Sequence, residues 1–313
     1  MARFFISGGA GFIGSHLVDR LMAESNEVTV YDNLISGRRK WIEHHVGKKN
    51  FHFIEADLLD FDTLNRVMKG HDIVWHLGAN TDIPTGNRIT NLDLENCTIA
   101  TRNVLEVMKQ NGMNKLLFAS SACVYGDAPQ VPLNETFGPL LPINLYGAGK
   151  LACEGLISAY CHLFGIKAWI FRFANVVGAR MGHGVLFDFI QKLRKNPEEL
   201  EILGDGNQEK PFFLVEDCID GMLCAFGNSD NQYDVFNLGC NSITTVTTIA
   251  KIVVEEIGLN NVKFRYTGGR RGWPGDVPVV HFDVAKIQKL GWQTKCTSDE
   301  TVRIAVRRLL VEG

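Results

Sequence analysis

Apolar residues in the first half of the chain come in short, nearly unbroken runs: Arg3–Ile6, Glu27–Tyr31, Phe51–Glu55, Ile73–His76, Lys115–Ala119 and Ala168–Phe173. Runs this short, rich in β-branched and aromatic residues, predict strands buried on both faces. Between them Phe12–Ala23, Phe61–Met68, Asn91–Asn111 and Leu145–Phe164 carry apolar residues at helical spacing. Strand–helix alternation of this kind predicts an α/β fold, a doubly wound parallel sheet covered on both faces.

Beyond Asn175 the regularity weakens. Gly178–Gly184 reads as a loop, and Val185–Lys195 as a helix stopped by Asn196-Pro197. Glu199–Leu203 reads as a strand before the turn Gly204-Asp205-Gly206, and Val235–Leu238 as a strand that extends the sheet. Glu216–Phe226, Thr247–Ile257 and Asp299–Leu310 are helical in pattern. The expected organisation is residues 1–175 as the main α/β domain with a returning segment at about 212–240, and 176–211 plus 241–313 as a smaller, discontinuous lobe.

The chain has 313 residues, 45% hydrophobic and 21% charged, the balance of a globular enzyme. A net charge of -3 offers no global field for nucleic acid. The nine histidines and eight cysteines show no metal-ligand spacing, so no metal is expected and the cysteines read as reduced thiols. No run approaches the ~18 apolar residues of a membrane helix, and the N-terminal apolar stretch stops at Ser7-Gly8-Gly9. The expectation is a cytoplasmic protein without a membrane partner.

Ser7-Gly8-Gly9-Ala10-Gly11-Phe12-Ile13-Gly14 follows the first strand and opens the first helix. Glycines at 8, 11 and 14 suit a tight turn, a backbone close to a pyrophosphate and close helix–strand packing, with the phosphates at the positive helix end. Asp32 ends the second strand. A carboxylate there accepts ribose hydroxyls and repels a 2′-phosphate, which favours NAD over NADP despite Arg38-Arg39-Lys40 nearby. Asp57, after the third strand, reads equally as an adenine contact or a turn former.

A fifth strand runs into Ser120-Ser121, and Tyr146 and Lys150 stand at i and i+4 on one helix face. An ammonium near a phenol lowers the phenol's pKa and prepares it as a general base. Such pairs are mostly structural when alone. Behind a dinucleotide turn and a serine-tipped strand, they become the catalytic candidates, with Ser121 bonded to the reacting hydroxyl.

These stretches resemble the extended short-chain dehydrogenases/reductases of the NAD-dependent epimerase/dehydratase family, whose fold is of the Rossmann type. The resemblance runs through Gly8–His16, Tyr31–Leu34, His76-Leu77-Gly78-Ala79-Asn80, Ser120–Gly126, Tyr146–Lys150, Arg172–Gly178 and Gly204–Gln208. His183-Gly184-Val185 and Arg271–Asp276 bring it nearest the compact archaeal-type UDP-glucose (UDP-galactose) 4-epimerases. The resemblance implies an isomerase that retains NAD: Tyr146 takes the proton of the sugar 4-hydroxyl, a 4-keto sugar forms, and the hydride returns to its other face. It implies cofactor contacts at Gly8, Gly11, Phe12, Ile13, Gly14, Asp32, Asn33, Asp57, Leu58, Leu77, Ala79, Asn96, Tyr146 and Lys150. It implies substrate contacts at Ser121, Asn175, His183, Val185, Lys210, Arg271 and Asp276, with Arg270 an alternative to Arg271. It also implies a homodimer through the helices at Asn91–Asn111 and Leu145–Phe164.

Related 4,6-dehydratases carry Asp-Glu where this chain has Ala122-Cys123, and related decarboxylases a glutamate at the Cys123 position, so elimination and decarboxylation are disfavoured. Cys123 itself is a further catalytic candidate, because 3,5-epimerases/reductases of GDP-sugars place a cysteine there. The favoured reading is a small packed residue in place of threonine. UDP-hexuronate and UDP-N-acetylhexosamine 4-epimerases stay open as alternatives, and a non-catalytic NAD-binding regulator is the reading outside catalysis.

Overall fold

The computed structural model describes residues 1–128 and 132–312. In chain order the first elements are β1 (Arg3–Ser7), α1 (Phe12–Ala23), β2 (Glu27–Asp32), β3 (Phe51–Glu55), α2 (Phe61–Met68), β4 (Ile73–His76) and α3 (Ile83–Arg88). A π-helical stretch, Leu94–Ile99, leads into α4 (Ala100–Gln110), followed by β5 (Lys115–Ser121), α5 (Leu145–Phe164) and β6 (Lys167–Phe173). Then come β7 (Asn175–Val177), α6 (Val185–Lys195), β8 (Glu199–Ile202), β9 (Glu209–Lys210), β10 (Phe212–Leu214), α7 (Val215–Asn228) and β11 (Tyr233–Leu238). The chain closes with β12 (Thr244–Thr245), α8 (Val246–Ile257), β13 (Lys263–Tyr266), α9 (Ala285–Gln288) and α10 (Ser298–Glu312).

The expected sheet forms with seven strands in the order β11-β6-β5-β4-β1-β2-β3. The pairs β1–β2, β2–β3, β1–β4 and β4–β5 are parallel. The order reverses between β1 and β4, and a doubly wound sheet opens its ligand crevice at such a point, outside the carboxyl ends of the strands. The apolar runs do what their composition requires: Phe5, Ile6, Val74, Leu116, Leu117 and Ile170 are fully buried. On one face they pack with Leu64 and Met68 of α2, Val104 and Met108 of α4, and Ile157 of α5.

The chain divides into two compact units: Met1–Val124, Asn144–Arg172 and Ala225–Phe236 form one, and Tyr125–Ile143, Phe173–Cys224 and Asn237–Gly313 the other. The second unit is discontinuous, and its bounds differ from 175 and 212–240. Tyr125–Ile143 belongs to the second unit because Tyr125 Oη donates to Asn237 Oδ1 at 2.8 Å and its ring packs on Phe282. The first turns of α7 also belong there: Trp292 Nε1 donates to the Asp217 carbonyl, and Gly221 leaves room for the same indole. The second core joins α6, α8 and α10 to β8 and β10 through Phe189, Leu200, Ile202, Phe212, Val253 and Val306.

The helix expected over Asn91–Asn111 is not uniform. It opens as a π turn where α5 presses closest, since a Cβ on Gly149 would lie 3.3 Å from both the Asp93 carbonyl and Cys97 Cβ. π turns of this kind are found frequently at functional sites. No helix of the described residues is long and apolar enough to cross a membrane.

Candidate active site

The first unit gathers its chemistry at the carboxyl ends of β1 to β5. Gly8 turns the chain at φ +72°, with its N–H on the Tyr31 carbonyl, and a Cβ there would lie 2.7 Å from Gly78 N. A Cβ on Gly14 would meet the Gly8 carbonyl oxygen at an impossible separation. Gly11 caps α1 without a side-chain hydrogen bond, and no acidic residue stands in the helix's first turn. The leading amides of Phe12 and Ile13 therefore have no local anion, which is what a phosphate site at a helix N-terminus needs.

Asp32 ends β2 with Oδ2 accepting from Ala10 N and Oδ1 from Leu34 N, both at 2.9 Å. Burial raises its pKa against these two hydrogen bonds. Gly37 must lack a side chain, because a Cβ would sit 2.8 Å from Asp32 Oδ1. In the basic run beyond it Arg38 donates to the Gly37 carbonyl, Arg39 pairs with Glu43, and Lys40 is exposed. Asp57 takes the turn-forming role, accepting from Leu59 N and from Asn33 Nδ2 at 2.8 Å. Leu58, Leu77 and Ala79 follow β3 and β4. Leu58 meets Gly78, and Leu77 N bonds the Ser7 carbonyl. Asn96 lies on the π turn with Nδ2 on the Leu92 carbonyl at 3.0 Å. The glycine cradle, the bare helix end and Asp32 together fit a dinucleotide.

Ser121 ends β5 close enough to the Tyr146 phenol to favour its ionised form. Its Oγ accepts from Cys123 N at 3.2 Å. Asn144 caps α5 by accepting from Gly147 N at 2.7 Å, which fixes Tyr146 in the helix's first turn. Gly147 is required because a Cβ would lie 2.6 Å from the Cys123 carbonyl. Lys150 is almost wholly buried. Its Nζ donates to the Ala119 carbonyl at 2.6 Å and stands 4.8 Å from the Phe118 ring centre and 5.7 Å from that of Tyr146.

The expected lowering of the Tyr146 pKa is corrected by this geometry. Burial comes first and raises it well above 10, while Ser121 only partly opposes. The same burial pushes His76 down to about 3, with Lys150 adding to the effect. Neutral His76 bonds Ser7 Oγ at 2.7 Å and Thr101 Oγ1 at 3.0 Å. Burial also raises Asp93, whose Oδ1 accepts from Asn80, and the Cys97 thiol.

Sequence reasoning missed the pair beneath this site. Glu154, one turn beyond Lys150, accepts from Ser120 Oγ and from both Nε and Nη2 of Arg172 inside the unit. The signal was present, since Glu154 continues the Tyr146–Lys150 stripe by another four residues.

In the second unit Lys210 Nζ meets Asp276 Oδ1 at 2.8 Å, and Arg271 donates to the Asp276 carbonyl and to Asp127 Oδ2. Arg270 stands farther from Asp127, at 3.6 Å, and is more exposed, so Arg271 is the member of the cluster. Asp127 was missed, since it lies just past Gly126 with nothing local to mark it. Asn175 opens β7 with its N–H on the Pro211 carbonyl. His183 is exposed, whereas Val185 begins α6 and packs on the second core, a structural task its sequence context did not reveal.

Residues 4–239 match the model of the NAD dependent epimerase/dehydratase family. A Methanocaldococcus jannaschii protein named "Putative UDP-glucose 4-epimerase" is 32% identical over 96% of both chains. UDP-glucuronic acid decarboxylase 1 of Xenopus tropicalis is 33% identical over 82% of this chain and 60% of its own. A crystal structure of a UDP-galactose 4-epimerase superposes with a TM-score of 0.88 at 38% identity, covering 99% of each chain. The Thermus thermophilus UDP-glucose 4-epimerase in complex with NAD gives 0.88 at 29% identity, over 98% of this chain and 99% of that one. With its seven-stranded doubly wound sheet, glycine turn and strand-end aspartate, the chain belongs to the NAD dependent epimerase/dehydratase family, and NAD is its cofactor.

Proposed function

We propose that the protein is a UDP-hexose 4-epimerase that interconverts UDP-glucose and UDP-galactose. The observation that carries this reading is the Tyr146 phenol with Ser121 at the end of β5 and the buried Lys150 beside it, next to Ala122-Cys123, where no carboxylate is available for elimination or decarboxylation. Bound NAD supplies the acceptor, and then the donor, of the C4 hydride. Ser121 holds the 4-hydroxyl, and Tyr146 takes its proton as the 4-keto sugar forms. The keto sugar presents its other face, and Tyr146 returns the proton to the new hydroxyl, so no net redox change remains. Glycine-turn amides and Asp32 hold the dinucleotide. Asn175, Lys210, Arg271 and Asp276 are the candidates for the nucleotide diphosphate of the substrate, with Lys210 and Arg271 as its cations.

The relatives and neighbours named for epimerases support the reading, and Cys123 fits it as a packed residue against Gly147. Incubation with UDP-glucose, UDP-N-acetylglucosamine, UDP-glucuronate and GDP-mannose, read by NMR, tests it. The expected product is UDP-galactose from UDP-glucose without added cofactor. A 4-epimer from UDP-glucuronate or UDP-N-acetylglucosamine alone overturns the hexose assignment. UDP-xylose from UDP-glucuronate, or a C3/C5 product from GDP-mannose, overturns 4-epimerisation itself.

A further inference from the structure

We propose that Asp19, His44 and His45 form a binding site for one divalent transition-metal ion of the zinc class. Asp19 lies on α1, and the histidines on the 3₁₀ turn Glu43–His45. His44 Nε2 and His45 Nε2 lie 2.8 and 2.7 Å from the same carboxylate oxygen, Asp19 Oδ1. Consecutive side chains converge here because the two rings tilt together, 4.0 Å between centres. The three ligand atoms all fall within 4.8 Å of one another.

Imidazole nitrogens with a carboxylate oxygen are a zinc donor set, and three protein ligands leave a fourth position for water. Donor atoms around a tetrahedral ion with bonds of about 2.0–2.1 Å stand roughly 3.3 Å apart, so each nitrogen has to retreat from Oδ1 by about half an ångström while the two imidazoles turn to bring their nitrogens to the same separation. His45 is buried, Asp19 half-buried and His44 exposed, so the cluster has a rigid floor and an open mouth. The spacing rules for zinc motifs miss it because Asp19 comes from a different element.

Lys48 sets the competition. Its Nζ sits 2.9 Å from His45 Nδ1. In the ion-free protein His45 donates Nε2–H to Asp19 and accepts from Lys48 at Nδ1. A metal on Nε2 moves the ring proton to Nδ1, where it faces the ammonium, so Lys48 swings away as the ion enters. The bound ion would clip α1 to the segment that follows Asp32, which touches the glycine turn through the Arg38 N–H on the Ala10 carbonyl.

The test uses untagged full-length protein, cleared of metal with a chelator and titrated with cobalt(II) and then zinc(II) chloride. The expected result is one equivalent of cobalt with a tetrahedral d–d spectrum and no thiolate charge-transfer band, displaced by zinc. His44→Gln, at an exposed position, and Asp19→Asn should each weaken binding at least about tenfold, with unchanged circular dichroism. Lys48→Met should tighten it severalfold, and His162→Gln should leave it alone. No binding at millimolar metal, equal binding by wild type and His44→Gln, or a thiolate band assigning the ion to cysteines overturns the proposal.

Discussion

At Tyr146 burial dominates: it raises the phenol's pKa well above 10, and Ser121 only partly opposes it. A phenol shifted in that direction stays protonated at neutral pH in the cofactor-free protein. Tyr146→Phe should lower kcat by roughly 10²–10⁴-fold while NAD still co-purifies. In NAD-free protein it should remove no tyrosinate absorbance at pH 7. The sign follows from the raised value: the stability that Tyr146 contributes is complete below the ordinary tyrosine pKa and is lost as pH rises towards the folded value. Lost cofactor in the variant, or a neutral-pH tyrosinate signal in the wild type, contradicts this account. The residues themselves were legible, because a strand-end serine and an i, i+4 pair are patterns. The lysine's orientation was not, since the Ala119 carbonyl that holds it comes from another element.

Among elements, the fully buried strands were readable because burial on both faces leaves an unbroken apolar run. β13 was not: Lys263-Phe264-Arg265-Tyr266 is largely exposed and pairs only with β8, so nothing in its pattern demands a strand. α3 is short and carries Gly86, which weakens its helical pattern, yet Pro84 stands in its first turn and Asp82 caps it by accepting from Thr85 N. The π turn packs closely on α5 at Gly149, a tertiary contact that one-dimensional periodicity cannot register. His76 shows how elements are tied together: it joins β4 to Ser7 of β1 and Thr101 of α4, and Thr101 receives the Cys153 thiol of α5. Its pKa is depressed to about 3 from an ordinary 6.5. The stability it contributes is therefore present above pH 6.5 and is lost as pH falls towards 3, with a slope of about 1.4 kcal/mol per pH unit. Unfolding free energy measured against pH should fall more steeply over that window for the wild type than for His76→Asn, which does not titrate. Parallel curves would show that protonating His76 does not set the acid limit.

For the whole molecule the question is what covers the outer face of the first unit's helices. Leu94 and Ile99 on the π turn, and Leu145, Leu163 and Phe164 on α5, are large apolar side chains left exposed. Phe164 is already organised, with Lys109 Nζ 4.7 Å over its ring and Tyr160 edge-on at 5.0 Å. Scattered apolar residues are ordinary on a surface, but these five share one helical layer, and a second copy presenting the same layer would cover them through a two-fold contact. We therefore propose a homodimer built on this face. Light scattering at micromolar concentration should return twice the chain mass, and Leu163→Glu with Phe164→Glu should return the chain mass with the circular dichroism spectrum retained. Because association of folded chains stabilises them by mass action, thermal stability should rise with protein concentration in the wild type and not in the charged variant. Its NAD content per chain should nevertheless persist, since the glycine turn and Asp32 lie on other elements. A wild type that scatters as a monomer refutes the dimer while leaving the catalytic assignment untouched, because Ser121, Tyr146 and Lys150 are complete within a single chain.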